Sequence, residues 1–308
     1  MVWIIVGSVL LIVSIVIILI ARLAYKKVFY SPITGQNNEF RDVKDLDYKG
    51  AKEKARALTE EMLKIPYEDL ETKSYDKLKL HAYFYRSEGS DEYVIFFHGY
   101  RRTARRSFSG LTMDLLKAKK NVILVDQRAH GESEGHTTTF GKKEQYDVVT
   151  WINYVKEHFG EDVKITISGV SMGATAVLFA ADKIDERVKI IADSPYISIK
   201  EVVLSTIKKL KMKAFYAYPI MVISSFLFCH VTLDYDAYKC VSKSKNKVLI
   251  IHGGADTIVP YQMSERVYLD NKDHVEYALF PEVGHGLPYL NENEKYSIIF
   301  IGFIQKYK

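Results

Sequence analysis

Hydrophobic and polar positions divide the chain into three stretches. In residues 2–21 every position is apolar except Gly7, Ser8 and Ser14. A helix of about 20 residues rises roughly 30 Å, the thickness of a bilayer's hydrocarbon core, so this run predicts a transmembrane helix, with residues 1–25 as the anchor. Trp3 at one end and Tyr25 and Tyr30 at the other suit an aromatic belt. The start lacks the basic residues and the exit lacks the small-residue cleavage site of a secretory signal, so an uncleaved anchor is expected. Residues 26–65 then turn polar. Ser31-Pro32, the segment 35–38 and the charged segment 49–61 predict a stalk followed by an amphipathic helix.

From 66 to 308 strand and helix signals alternate without internal repeats. Period-two alternation or short apolar runs predict strands at 71–75, 77–85, 93–97, 121–126, 164–168, 188–192, 248–251 and 275–280. Helical spacing predicts helices at 103–119, 142–159, 172–183, 262–271 and 291–307. The expected fold class is α/β, a mostly parallel eight-stranded sheet with helices on both faces. Such sheets bind ligands at the carboxyl ends of their strands. Between the sixth and seventh strands, residues 196–246 replace a simple crossover and predict a helical lid. Its apolar part, 214–229, is interrupted by Pro219 and is too short to span a bilayer, so it is expected at the membrane interface over the pocket mouth.

The candidate chemistry sits at strand ends. Strand 164–168 runs into Gly169-Val170-Ser171-Met172-Gly173 and then into helix formers, the strand, G-x-S-x-G and helix order of a nucleophile elbow. The seventh strand ends in His252-Gly253-Gly254-Ala255-Asp256, placing an acid on the next loop. After the eighth strand, His285 stands between Gly284 and Gly286. Ser171 as nucleophile, His285 as base and Asp256 as orienting acid follow in chain order. Asp193, after the sixth strand, is the rival acid.

Residues from about 70 onward resemble the α/β-hydrolase superfamily; together with the anchor they resemble bacterial membrane-bound hydrolases related to the prolyl-oligopeptidase-like branch. Phe96-Phe97-His98-Gly99-Tyr100 resembles the oxyanion loop after the third strand, and Asp126-Gln127-Arg128-Ala129-His130-Gly131-Glu132-Ser133 resembles the loop after the fourth. Ala129 stands where that pattern usually has glycine. The resemblance implies that the backbone N–H groups of Tyr100 and Met172 form the oxyanion hole, with Gly169 and Gly173 as the elbow glycines.

The 308 residues carry a net charge of +5 and a pI near 8.8, without a nucleic-acid motif, so membrane headgroups are the expected counterpart. Arg22, Lys26 and Lys27 follow the apolar run and favour a cytoplasmic catalytic domain, an exported one being the alternative. Arg101, Arg102, Arg105 and Arg106 stand at near-helical spacing after the oxyanion loop; Arg101 and Arg105 are candidates for binding an anionic substrate, against a solvated helix face. His98 and His130 are expected to shape loops. Cys229 and Cys240 fit neither a disulfide framework nor a zinc site. No metal is expected from the segment 130–136, and no phosphate loop or dinucleotide fingerprint calls for a cofactor. The expected function is hydrolysis of a small acyl ester through an acyl-enzyme. A serine peptidase, an acyltransferase and a non-catalytic membrane-bound binding protein are the alternatives.

Overall fold

The computed structural model describes residues 1–31 and 51–307. Its strands are β1 (Glu68–Lys73), β2 (Lys79–Tyr85), β3 (Glu92–Phe97), β4 (Asn121–Asp126), β5 (Lys164–Val170), β6 (Lys189–Asp193), β7 (Val248–Gly253) and β8 (Val275–Phe280). They form one sheet in the order β1-β2-β4-β3-β5-β6-β7-β8. β2 is antiparallel to both β1 and β4, and every other pairing is parallel. This is the mostly parallel eight-stranded sheet that the alternating pattern predicts.

Helices cover both faces. The helices are α1 (Val2–Val28), α2 (Ala51–Met62), α3 (Ala104–Lys117), α4 (Glu144–Phe159), α5 (Met172–Ala180), α6 (Ile199–Lys209), α7 (Ala214–Ser224), α8 (Ala237–Lys243), α9 (Gln262–Asp270), α10 (Pro288–Asn291) and α11 (Asn293–Lys306). Strand residues alternate between two cores. Ile95, Phe97, Ile123, Val125 and Ile167 pack with Trp151 of α4 and Phe179 of α5. Val94, Phe96, Val122 and Leu124 pack with Phe108 and Leu111 of α3 and Phe300 of α11. Burial on both faces is why β3 and β4 read as unbroken apolar runs.

Three expected boundaries move. The first strand ends at Lys73 because Ser74 to Leu78 form a turn: the Ser74 N–H donates to Leu78 O at 2.9 Å, and Lys77 adopts φ 69°. The final helix begins at Asn293, two residues later than expected, and a short α10 precedes it. The third change concerns the stalk. α1 runs to Val28, and among the described residues it is the one helix long and apolar enough to cross a membrane. Its end packs directly on the sheet domain. Phe29 is fully buried, Thr138 N–H donates to Phe29 O at 2.9 Å, and Ser31 N–H donates to His136 O at 2.8 Å. α2 packs on α3, with the Lys54 ammonium donating to Leu290 O at 2.8 Å. Both described ends of the expected 26–65 segment thus lie against the domain, the second as the expected amphipathic helix, and the segment 35–38 lies outside the described residues. The physical reason is aromatic: Tyr25 packs on Phe228 at 5.4 Å and Tyr30 on His136 at 5.8 Å, rather than standing free as a belt.

A buried ion cluster fixes the loop after β4. The Arg128 guanidinium donates to both carboxylate oxygens of Asp147 at 2.6 and 2.7 Å and to Asp76 at 2.9 and 3.1 Å. Burial opposes the Arg128 charge, but these two carboxylates more than offset it and hold its pKa above the usual value. Arg128→Met leaves a buried carboxylate without its counter-ion, so we expect a loss of roughly 3–5 kcal/mol, read as a lowered midpoint in denaturant unfolding.

Candidate active site

β5 hands the chain to α5 through Ser171, which takes φ 55° and ψ −114°. This left-handed backbone costs a serine about 1–3 kcal/mol and persists only where the surroundings enforce it. Here the enforcement is close packing. A Cβ on Gly173 would lie 1.8 Å from Phe97 O, and one on Gly169 would lie 2.3 Å from the Gly173 carbonyl carbon. The first turn of α5 therefore rests on the end of β3, and the Ser171 N–H is held by Asp193 O at 2.8 Å.

The loops after β7 and β8 bring the other two residues to this point. Ser171 Oγ lies 2.8 Å from His285 Nε2, and His285 Nδ1 lies 2.6 Å from Asp256 Oδ2. The Ile258 and Val259 N–H groups donate to Asp256 Oδ1 at 2.7 and 2.8 Å. Gly253 makes room for the His285 loop, since a Cβ there would meet Val283 O at 2.2 Å. Burial works against the Asp256 charge, but hydrogen bonds from His252 and His285 outweigh it and hold the carboxyl well below the usual range.

His252 is the residue that sequence reasoning missed. It is fully buried, and its Nε2 lies 3.2 Å from Asp256 Oδ2 and 3.1 Å from Val259 O, while Nδ1 lies 2.7 Å from Ser264 Oγ. Both neighbours of Nε2 are acceptors, so Nε2 carries a proton. The signal was in the sequence: His252 is the penultimate residue of β7, four residues before the acid.

Asp193 is placed differently from Asp256. Ser194 Oγ donates to its Oδ1 at 2.8 Å and the Tyr296 hydroxyl to its Oδ2 at 3.1 Å, while Gly286 N–H donates to Ser194 Oγ at 3.1 Å. Asp193 thus braces the loop that carries His285, through Ser194. Its carboxyl is pushed up to about 6 by burial, with Ser194, Tyr296 and the two histidines acting the other way.

The loop after β3 crosses above Ser171: a Cβ on Gly99 would lie 3.6 Å from Ser171 Cβ. Among the described turns and loops, neither the Tyr100 nor the Met172 N–H donates to another backbone carbonyl. His98 and His130 splice this loop to the one after β4. His98 Nε2 accepts from Gln127 N–H at 3.1 Å and His130 Nε2 accepts from Arg101 N–H at 3.1 Å. Burial, reinforced by His130, pushes His98 down to about 3; burial lowers His130 too, so both rings are neutral. Ala129 has φ 63°, the backbone state that explains the usual glycine of that pattern.

The arginines require a correction. Arg105 is buried, with its guanidinium 4.2 Å from the Tyr83 ring centre. Arg101 donates to Lys27 O at 2.9 Å and Tyr30 O at 3.1 Å. Both guanidinium groups have partners within the chain. One guanidinium caps the end of α1, and the other fills the space between α3 and the β1–β2 edge.

A family model described as serine aminopeptidase, S33, matches residues 89–225. That stretch contains Ser171 and ends before Asp256. An esterase from Pyrococcus furiosus, Pf2001, superposes with a TM-score of 0.65 at 25% identity, covering 86% of this chain and 98% of that one. The chain is an α/β-hydrolase by fold. This α/β-hydrolase is also similar to the acylaminoacyl peptidase of Pyrococcus horikoshii, with a TM-score of 0.59 at 16% identity over 81% of this chain and 43% of that one, a likeness of fold. The uncharacterised protein YqkD of Bacillus subtilis is 27% identical over 207 residues. They cover 61% of this chain and 66% of the relative, just under two thirds of its length.

Asp193 generates a pH prediction. Its pKa is raised from 3.8 to about 6, so the folded state binds the extra proton. The stability this gives is fully present below pH 3.8 and is lost as pH rises through about 6. Asp193→Asn, which carries no charge, should be more stable than the parent by roughly 2–3 kcal/mol at pH 8. The two unfolding curves should converge near pH 4; divergence that grows on acidification overturns the reading.

Proposed function

We propose that the chain is a membrane-anchored serine hydrolase that cleaves small acyl esters, with Ser171 as nucleophile, His285 as general base and Asp256 as the acid behind it. The observation that carries this reading is the continuous hydrogen-bonded line from Ser171 Oγ through His285 to Asp256. With Asp256 charged and accepting at Nδ1, His285 keeps its free lone pair on Nε2, where it takes the Ser171 proton as Oγ attacks the acyl carbonyl. The developing oxyanion is received by the Tyr100 and Met172 N–H groups, the latter at the positive end of α5. Each such donor contributes roughly 3–4 kcal/mol to the transition state. His285 then returns its proton to the leaving alcohol, and water, deprotonated by the same ring, releases the acid.

The insertion of α6, α7 and α8 serves as the lid. α6 reaches the acid's loop, where the Lys209 ammonium donates to Thr257 O. A peptidase is the second reading, favoured by the description of the matching family as a serine aminopeptidase. The esterase likeness at 25% identity over nearly the whole of that enzyme supports the first.

A fluorophosphonate probe should label the parent and spare Ser171→Ala. Asp256→Asn should lower turnover on the order of 10⁴-fold, and Asp193→Asn much less. p-Nitrophenyl acyl esters should be cleaved faster than aminoacyl-p-nitroanilides, with free acid as product; the opposite order assigns a peptidase, and transfer to added alcohol assigns an acyltransferase.

Arg22, Lys26 and Lys27 lie on the domain side of α1 and favour a cytoplasmic catalytic domain. Protease added to intact cells should leave the domain uncut, and rapid shaving reverses the orientation.

A further inference from the structure

The end of α1 and the turn that follows α7 enclose a cavity of about 430 Å³, lined by Arg22, Tyr25, Lys26, Tyr30 and Phe228. It lies apart from the Ser171 site. Arg22 immediately follows the apolar run, so with α1 across a bilayer the cavity opens at the depth of the lipid headgroups. Arg22 and Lys26 are four residues apart on one helix and project from the same side. Both are exposed, and among the described residues neither forms an ion pair. The walls are aromatic, with the Tyr25 ring 5.4 Å from Phe228 and 6.1 Å from Tyr30.

The surface beside the cavity continues the lipid-facing surface of α1. α7 packs along α1. Phe215 and Val222 on α7 and Phe226 and Leu227 on the turn are exposed large apolar side chains, Phe215 by 78%. A soluble domain leaves few such residues side by side in water. Lys208, Lys211 and Lys213, all exposed, precede this face. An apolar face edged by cations, continuous with a membrane-spanning helix, fits an anionic lipid surface in both shape and charge.

We propose that this cavity is the seat of an anionic phospholipid headgroup. The Arg22 guanidinium and the Lys26 ammonium hold the phosphate, a forked donor and a point charge on one anion, and the α7 face meets the acyl chains. An occupied seat clamps α1 to the insertion. It also steadies Tyr25, whose hydroxyl lies 2.8 Å from Thr137 Oγ1 on the loop next to the oxyanion strand's neighbour β4.

The test uses the full chain in a neutral detergent and reads the thermal midpoint, not turnover, so it stands or falls independently of the catalytic reading. Dioctanoyl phosphatidylglycerol should raise the midpoint saturably by about 5 °C. Dioctanoyl phosphatidylcholine and inorganic phosphate at equal concentration should not. The double variant Arg22→Gln, Lys26→Gln should show the parent midpoint without lipid and at least a tenfold weaker half-saturation with it; Lys26→Gln alone should fall between. Lys208→Gln with Lys211→Gln should respond as the parent does. An equal shift from phosphatidylcholine, an equal shift from inorganic phosphate, or an undiminished shift in the double variant overturns the proposal.

Discussion

The first turn of α5 lies so near the end of β3 that one methyl group at position 173 would sit 1.8 Å from Phe97 O. That contact leaves the chain between β5 and α5 too little room for an ordinary turn, and Ser171 is driven to positive φ. The strain lifts the serine side chain out of the sheet toward the loops after β7 and β8. The position of Ser171 and the start of α5 therefore have one cause, the absence of side chains at Gly169 and Gly173.

A second constraint ties this point to the long apolar helix α1. Tyr100 belongs to the loop above Ser171, and its hydroxyl donates to Val28 O at 2.6 Å at the end of α1. Its ring stacks on Phe140 at 5.4 Å, and Phe140 in turn meets Phe29 at 5.5 Å. Arg101, the next residue, bonds to the carbonyls of Lys27 and Tyr30. The end of α1 is thus packed into the domain by side-chain bonds and stacked rings. Its last turn packs against the loop after β3, and the bonds from Tyr100 and Arg101 hold the two together.

Most of the sheet was legible in the sequence, because strands buried on both faces are continuous apolar runs and no other element here is so short and so apolar. The candidate triad was legible because each member follows directly from a strand end. What escaped was long-range. The end of α1 carries Tyr25, Phe29 and Tyr30, and nothing local tells an interfacial aromatic from one that packs on Phe228, Phe140 or His136. The surroundings of the arginines after β3 were hidden for the same reason: Arg105 packs on the Tyr83 ring and Arg101 bonds the carbonyls of a distant helix end. Asp256 was favoured over Asp193 from the chain alone by its place on the loop after the seventh strand, but the hydroxyls of Ser194 and Tyr296 that hold Asp193 become visible only in three dimensions. His252 was in plain view, yet reading a histidine as a partner of Asp256 requires knowing that the loop folds back over β7.

The insertion between β6 and β7 leaves and re-enters the domain at a single place. Ile199 N–H donates to Tyr235 O at 3.2 Å and Ala237 N–H to Ile197 O at 2.8 Å, while Ser198 and Asp236 pair as an isolated bridge. Everything from α6 through the turn after α7 therefore hangs from a closed neck. Closing a loop depends only on the logarithm of its length once the neck is pinned, so segments of quite different size and polarity can be grafted there without disturbing the register of the neighbouring strands. The neck makes the insertion an exchangeable module, free to diverge in sequence while the sheet beneath it stays the same.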